Sequence, residues 1–333
     1  MRILVTGGAG YVGSVSVDHF LEAGHDVVVL DDLSTGHRGA VADAARLVVG
    51  TYADGDSLAR LLESERIEAV LHCAARSLVG ESIADPARYY TDNVAGGVAL
   101  LEAARRTGVR RFVFSSSAAI YGVPDATPIP EDAPLRPINT YGETKRTFEA
   151  ALAAYGSAYG LRSASLRYFN VAGATLLRGE VHDPETHLIP NILRAVDGAG
   201  GGQPLRVFGD DYPTPDGTCI RDYIDVVDLA DAHLRALDAT VPGDVRTDTP
   251  LVCNLGSGGG FSVREVLAAA EVVVGRPIPH VVVDRRPGDP PVLVATIERA
   301  AEVLGWRPVR SSLEGMIRSA REWRRRHPGG YAV

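Results

Sequence analysis

Lys145 is the sole lysine in a chain of 333 residues; of 34 Lys and Arg, the other 33 (34 − 1) are arginine. It stands four residues after Tyr141, in Asn139-Thr140-Tyr141-Gly142-Glu143-Thr144-Lys145. On a helix such positions share a face, so phenol and ammonium point into one space. A free phenol titrates near pH ~10, and a nearby ammonium favours its anion. The pair therefore predicts a tyrosine base whose phenolate is reachable near neutral pH. Arginine, a broad planar fork rather than a point charge, is a poor substitute there. Spacing alone also fits a solvated helix that carries the pair by chance, so the surrounding elements decide.

Those elements alternate between strand and helix. Residues 2–6 (RILVT) form an apolar, branched run that ends in Gly7-Gly8-Ala9-Gly10-Tyr11-Val12-Gly13. A helical pattern follows to about Ala23, and Gly24 stops it. Residues 26–30 (DVVVL) read as a second strand, closed by Asp31-Asp32. Strand, glycine turn, helix, strand and acid make the opening βαβ unit of a dinucleotide-binding fold. The glycines let backbone approach a pyrophosphate, and the helix N-terminus supplies N–H donors. Asp31 would accept from the adenine ribose hydroxyls and repel a 2′-phosphate, which favours NAD over NADP.

Further strands are predicted at 69–73, 111–115 and 164–167, with helices at 89–106 (Asn93 near its start) and 144–159. The alternation predicts an α/β chain with a Rossmann-type, doubly wound parallel sheet. Gly7, Asp31, Ala74, Ser117 and Tyr168 all fall at strand ends, where such sheets bind ligands. After Asn170 the texture turns to Pro, Gly and short apolar stretches, with a strand–helix unit at 221–239. We expect an NAD-binding domain over 1–175 and a smaller, mostly α substrate lobe over 176–333, with some later segments returning to the first. Residues 198–202, rich in glycine, read as a short flexible link.

Composition excludes several other classes. With 45% hydrophobic residues the chain can bury a core. The net charge of −8 disfavours nucleic acid. Arg324-Arg325-Arg326 reads as a solvated helix end. Cys73, Cys219 and Cys253, odd in number and far apart, argue against disulfides and a zinc site, so no metal is expected. No apolar run has membrane-spanning length and no signal peptide is visible, which predicts a soluble cytoplasmic protein.

Four motifs together resemble the extended short-chain dehydrogenase/reductase family: Thr6 to Gly13, Ser115 to Gly122 (SSSAAIYG), Tyr141 with Lys145, and Arg167-Tyr168-Phe169-Asn170. Val79-Gly80-Glu81-Ser82, the stretch 208–222 (FGDDYPTPDGTCIRD) and Arg286-Pro287-Gly288-Asp289 are similar to its UDP-sugar 4-epimerase branch. The likeness runs over nearly the whole chain. It implies an isomerase in which Tyr141 is the base, Lys145 its electrostatic partner, and Ser117 the hydroxyl bonded to the sugar 4-oxygen. Gly7, Gly10, Tyr11, Val12, Gly13, Asp31, Asp32, Asn93, Lys145 and Tyr168 would contact NAD. Ser117, Tyr141, Asn170, His187, Leu188, Phe208, Arg221, Arg286 and Asp289 would hold the UDP-sugar. Members are commonly homodimers joined by two helices per subunit, here about 89–106 and 144–159.

Three positions depart from the pattern. An acid usual after Gly50 is replaced by Thr51 and Tyr52, a usual lysine is Ser77, and a usual histidine is Asp225. The first two bear on how tightly cofactor is held. Related dehydratases carry an Asp-Glu pair, and decarboxylases a Glu, where this chain has Ala118 and Ala119. A cofactor-sensing protein without turnover would have no use for the Tyr-Lys pair. Each site residue also has a plain alternative: Ser117 and Asp289 as caps, Arg221 and Arg286 as surface ion pairs, and His72 and Cys73 as core. Leu293 sits where the family gates the hexose pocket and is intermediate in size. UDP-glucose/UDP-galactose is the default pair, with UDP-N-acetylhexosamine or a UDP-uronate as alternatives.

Overall fold

A computed structural model describes residues 1–197, 203–244, 246, 249–286 and 289–331. The glycine-rich link at 198–202 lies outside the described residues, as do Pro287 and Gly288. In chain order, β1 (Arg2–Thr6), α1 (Tyr11–Glu22), β2 (Asp26–Asp31), β3 (Arg46–Val49), α2 (Gly55–Ser64) and β4 (Ala69–His72) open the molecule. Short helices α3 (Val79–Ala84) and α4 (Pro86–Tyr89) lead through a π-helical segment (Tyr90–Gly96) into α5 (Gly97–Thr107). β5 (Arg111–Ser117), α6 (Thr140–Tyr159), β6 (Arg162–Tyr168) and β7 (Asn170–Ala172) follow. The second half runs α7 (Leu188–Asp197), β8 (Leu205–Phe208), β9 (Ile220–Asp225), α8 (Val226–Ala239), β10 (Leu251–Leu255) and β11 (Gly260–Ser262). It ends with α9 (Val263–Val274), β12 (His280–Val283), β13 (Val292–Leu293), α10 (Glu298–Leu304) and α11 (Leu313–Arg326).

Among the described residues the main sheet has seven parallel strands, in the order β10-β6-β5-β4-β1-β2-β3. The order reverses between β1 and β4, and the crevice at their carboxyl ends is where a doubly wound sheet takes ligand. Strand alternation sends Ile3, Val5, Val27 and Val29 to a face covered by α1 and α8. Leu4, Val28, Leu30, Phe112 and Phe114 go to the other face, against Leu58, Leu101 and Phe148 of α2, α5 and α6. Both faces are buried, which is why these strands read as unbroken apolar runs.

The second half does not stay apart. β10 pairs with β6 at the sheet edge, and α8 packs on α1. The remainder combines helix and strand around its own core: Ile189, Ile192, Val207, Tyr223, Val266, Met316 and Ile317 gather from α7, β8, β9, α9 and α11. β9 is flanked by β11, β13 and β7, and β8 pairs with β12. Among the described residues, no helix is long and apolar enough to cross a membrane.

Candidate active site

The glycine turn is shaped by steric need. Gly7 has φ +72°, and a Cβ there would lie 2.6 Å from the Ala74 backbone nitrogen. A Cβ on Gly13 would run into the Gly7 carbonyl, so the start of α1 can sit this close only without side chains. Asp31, at the end of β2, accepts from Ala9 N and Leu33 N, each at 2.9 Å. Burial raises its pKa, and those two N–H bonds pull it back. Asp32 is exposed and accepts from Ser34 N at 2.9 Å, closing the turn. Tyr11 turns its side chain away from the glycine turn, its hydroxyl donating to the Gly173 carbonyl at 2.6 Å. Val12 packs against the same core as Tyr11. A ligand contact from Tyr11 would come from its backbone.

Strand register levels the next group. Ser117 of β5 pairs with Tyr168 of β6, which pairs with Leu255 of β10. Asn139 caps α6, its side-chain oxygen accepting from Gly142 N at 2.8 Å. The helix therefore starts at Thr140, one turn earlier than the apolar periodicity predicts, and Tyr141 sits in its first turn. Lys145, only 3% exposed, donates from Nζ to the Ser115 carbonyl at 2.7 Å. Nζ lies 4.7 Å from the Phe114 ring centroid and 5.8 Å from that of Tyr141.

The electrostatics correct one expectation. Burial raises the Tyr141 phenol above its ordinary value, and the Ser117 hydroxyl, bonded to it, only partly offsets this. Burial also pushes the Lys145 ammonium down to about 8, against opposing contributions from Cys73 and Glu149. The pair alone does not hold the phenol anionic near neutral pH, because the same enclosure penalises both charges. His72, pushed to about 3 by burial with Lys145 adding to the effect, is a neutral core residue whose Nδ1 bonds Thr6 Oγ1 at 2.7 Å. Burial raises the Cys73 thiol to about 11.

The arrangement suits a dinucleotide. The cradle at Gly7 and Gly13 admits nothing bulkier than backbone. The Lys145 ammonium has three N–H donors and one described hydrogen bond, so two remain for a ligand hydroxyl. Asn93 is more committed. Its Oδ1 accepts from Arg76 N at 2.8 Å, and its Nδ2 donates to Arg76 O at 3.0 Å and Thr144 Oγ1 at 3.1 Å. It clamps the loop after β4 to α6, and one lone pair of Oδ1 is left for a cofactor. At the departures, Thr51 Oγ1 accepts from Ala53 N, and Tyr52 donates to the Asp92 carbonyl at 2.9 Å. Beside Ser77, Arg76 is tied to Asp92 at 2.5 Å.

A second group assembles on the other side. Arg221 donates to Asp289 at 2.5 Å and to the Ile220 carbonyl at 2.8 Å. The Arg286 guanidinium lies 4.0 Å from the Phe208 ring centroid. Leu293 is level with Arg221 and packs against the cluster of Ala118, Ile120, Tyr121 and Phe169. Asn170 begins β7, level with Tyr223. His187 instead pairs with Glu180 and Glu185, just before Leu188 opens α7.

One supporting network escaped the sequence reading. Arg167 clamps Glu149 with a bond of 2.6 Å and also reaches the Tyr121 hydroxyl and the Glu131 carbonyl, each at 2.9 Å. Ser116 donates to Glu149 at 2.5 Å. Glu149 lies one helical step beyond Lys145, a spacing that could have marked it.

This geometry has close counterparts. The model of the NAD dependent epimerase/dehydratase family matches residues 3–250. The chain belongs to that family. A UDP-glucose 4-epimerase of Streptomyces lividans is 49% identical over 331 residues, covering 99% of this chain and 98% of the relative. One from Corynebacterium glutamicum is 48% identical, covering 96% and 94%. A crystal structure of the Brucella ovis UDP-glucose 4-epimerase in complex with NAD superposes with a TM-score of 0.91 at 46% identity, covering 100% and 99%. Ala118 and Ala119, which follow Ser117, have no titratable group.

Proposed function

We propose that the chain is an isomerase that inverts C4 of a UDP-hexose through a transient 4-keto sugar, with UDP-glucose and UDP-galactose as its pair and NAD as cofactor. The observation that carries this reading is the meeting of Tyr141, Ser117 and Lys145 at the carboxyl end of β5, beside two alanines that cannot eliminate water. The glycine turn, Asp31, the free donors of Lys145, and Tyr168 would hold the NAD.

The C4 hydrogen of a hexose is not next to a carbonyl, so no base can remove it directly, and inversion needs a ketone. Tyr141 takes the 4-OH proton, directly or through Ser117, and returns it at the end. NAD, when bound, supplies the acceptor and donor of the C4 hydride and a cationic ring that adds to Lys145 in favouring the phenolate. Lys145, tethered to the Ser115 carbonyl, keeps its charge beside the phenol. Arg221 and Arg286 grip the diphosphate, so the pyranose can turn its other face while the nucleotide stays fixed. Asn170, Leu188, Phe208 and Asp289 complete the grip on the UDP-sugar.

The NAD side is assigned to residues 1–175 together with the returning α8 and β10, and the UDP-sugar side to the rest. A homodimer through α4–α5 and α6 is also part of this reading. Its support is that Tyr90, Val98 and Tyr159 on those elements stay 44%, 38% and 46% exposed.

The deciding experiment pairs Tyr141→Phe with a substrate panel. The variant is expected to keep its NAD and lose roughly 10²–10⁴-fold in kcat; turnover near that of the unmutated chain sinks the proton role. Assay of the unmutated chain on UDP-galactose, UDP-N-acetylgalactosamine and a UDP-uronate is expected to favour the first. Activity on the uronate alone overturns the substrate assignment.

A further inference from the structure

The segment ahead of α7 carries four metal-ligating side chains in the spacing Glu-x-His-x-x-Glu-x-His: Glu180, His182, Glu185 and His187. One ligand atom from each lies within 4.8 Å of all the others. His187 Nδ1 is 2.7 Å from Glu180 Oε1 and 3.0 Å from Glu185 Oε1. His182 Nδ1 is 3.1 Å from Glu180 Oε1 and 3.9 Å from Glu185 Oε2. Ligands about 2.1 Å from a tetrahedral ion stand roughly 3.4 Å from one another. The observed separations bracket that value, and small side-chain rotations bring the four atoms onto one centre.

Burial and charge point the same way. The Glu180 and Glu185 side chains are 8% and 3% exposed, while His182 and His187 are 31% and 46% exposed. Carboxylates line the floor and imidazoles close the mouth. Among the described residues both carboxylates form ion pairs only with these two rings. The nearest arginine in sequence, Arg178, is spent on Asp18 at 2.9 Å. Two buried carboxylates converging on one point need positive charge between them, which the two imidazole rings supply when protonated and a metal ion would supply in their place. The loop is also anchored outside the cluster: Gly179 donates to and accepts from the Tyr331 hydroxyl, both at 2.9 Å, and Leu188 enters α7.

We propose that Glu180, His182, Glu185 and His187 bind one divalent transition-metal ion of the zinc class, closing the loop ahead of α7 into a ring. Mixed imidazole and carboxylate ligands suit such an ion, whereas calcium and magnesium take oxygen alone. Four protein ligands leave no open position, so the ion is structural and stands outside the hydride chemistry. Binding displaces the protons that the imidazole nitrogens share with the carboxylates. The site is independent of the epimerase reading, because its test needs no turnover.

The full chain, stripped with a chelator and dialysed, is titrated with Zn²⁺ in competition with a chromophoric chelator. One equivalent per chain is expected, weakened at least about tenfold by His182→Ala or by Glu185→Gln and unchanged by His280→Ala at an exposed histidine elsewhere. Equal binding by all four proteins, or no stoichiometric binding by the unmutated chain, overturns the proposal. Co²⁺ added to the unmutated chain gives a second reading that no variant's folding can obscure. Intense four-coordinate absorption supports the site, and the weak spectrum of the hydrated ion overturns it.

Discussion

Lys145 Nζ donates to the Ser115 carbonyl at 2.7 Å, two residues before Ser117 on the same strand. The ammonium is thus fixed by the sheet that also carries the proposed sugar-binding hydroxyl. A guanidinium is a broad planar fork rather than a compact ammonium, so Lys145→Arg is expected to lower kcat by roughly 10²-fold or more, and Lys145→Met likewise. A rate within twofold of the unmutated chain, with NAD content equal, would count against the electrostatic role. Burial holds the ammonium at about 8, so its charge disappears as pH rises through that value. kcat should accordingly fall on the alkaline side near pH 8, and a rate still climbing beyond it would refute this.

Arg167 and Glu149 form a buried pair at 2.6 Å, with side chains 5% and 8% exposed. Removing one partner strands the other charge, so Arg167→Met is expected to cost about 3–5 kcal/mol in urea unfolding. Arg167→Met with Glu149→Met should recover much of that loss. A double variant no better than the single one would show that packing rather than charge is at stake.

Asp225 caps α8, its side chain accepting from Val227 N at 2.9 Å. Burial raises its carboxyl from 3.8 to about 6, opposed by the Val227 N–H bond and by Arg310. An acid whose folded value lies above its unfolded one weakens the fold as pH climbs between the two, because the unfolded chain releases the proton first. Stability should therefore decline from pH 3.8 to about 6 on this account and be flat above. Asp225→Asn keeps an oxygen to cap α8 and should remove the decline, gaining up to about 3 kcal/mol at pH 7. Thermal unfolding across that range checks it; an unaltered slope in the variant rejects it.

Leu293 packs against the cluster that holds Ala118 and Phe169. Leu293→Gly should raise kcat/KM for UDP-N-acetylgalactosamine relative to UDP-galactose at least about tenfold, and Leu293→Tyr should move the ratio the other way. Ratios that do not move would place the gate elsewhere.

Much of the dinucleotide half was legible because its signals are local. Val27-Val28-Val29, Gly24 and Asp31 announce strand, stop and acid within a few residues of each other. The start of α6 was set too late, because Asn139 begins the helix from outside the apolar pattern. The direction of the Tyr141 shift was misread for a different reason. A neighbour in sequence reveals a charge, but enclosure depends on strands and helices that arrive from elsewhere. Arg167 with Glu149, and Arg221 with Asp289, are joined by folding and carry no mark in spacing alone. Neither does the return of β10 to the sheet.

That return bears on how the protein is made. Leu251–Leu255 supplies the hydrogen bonds along one side of β6, so during synthesis Arg162–Tyr168 must wait as an open edge until some eighty further residues have left the ribosome. A fragment ending at residue 175 would keep that edge permanently unsealed. It should collect in the insoluble fraction on expression, and recovery as a soluble monomer would show that the first six strands close without help.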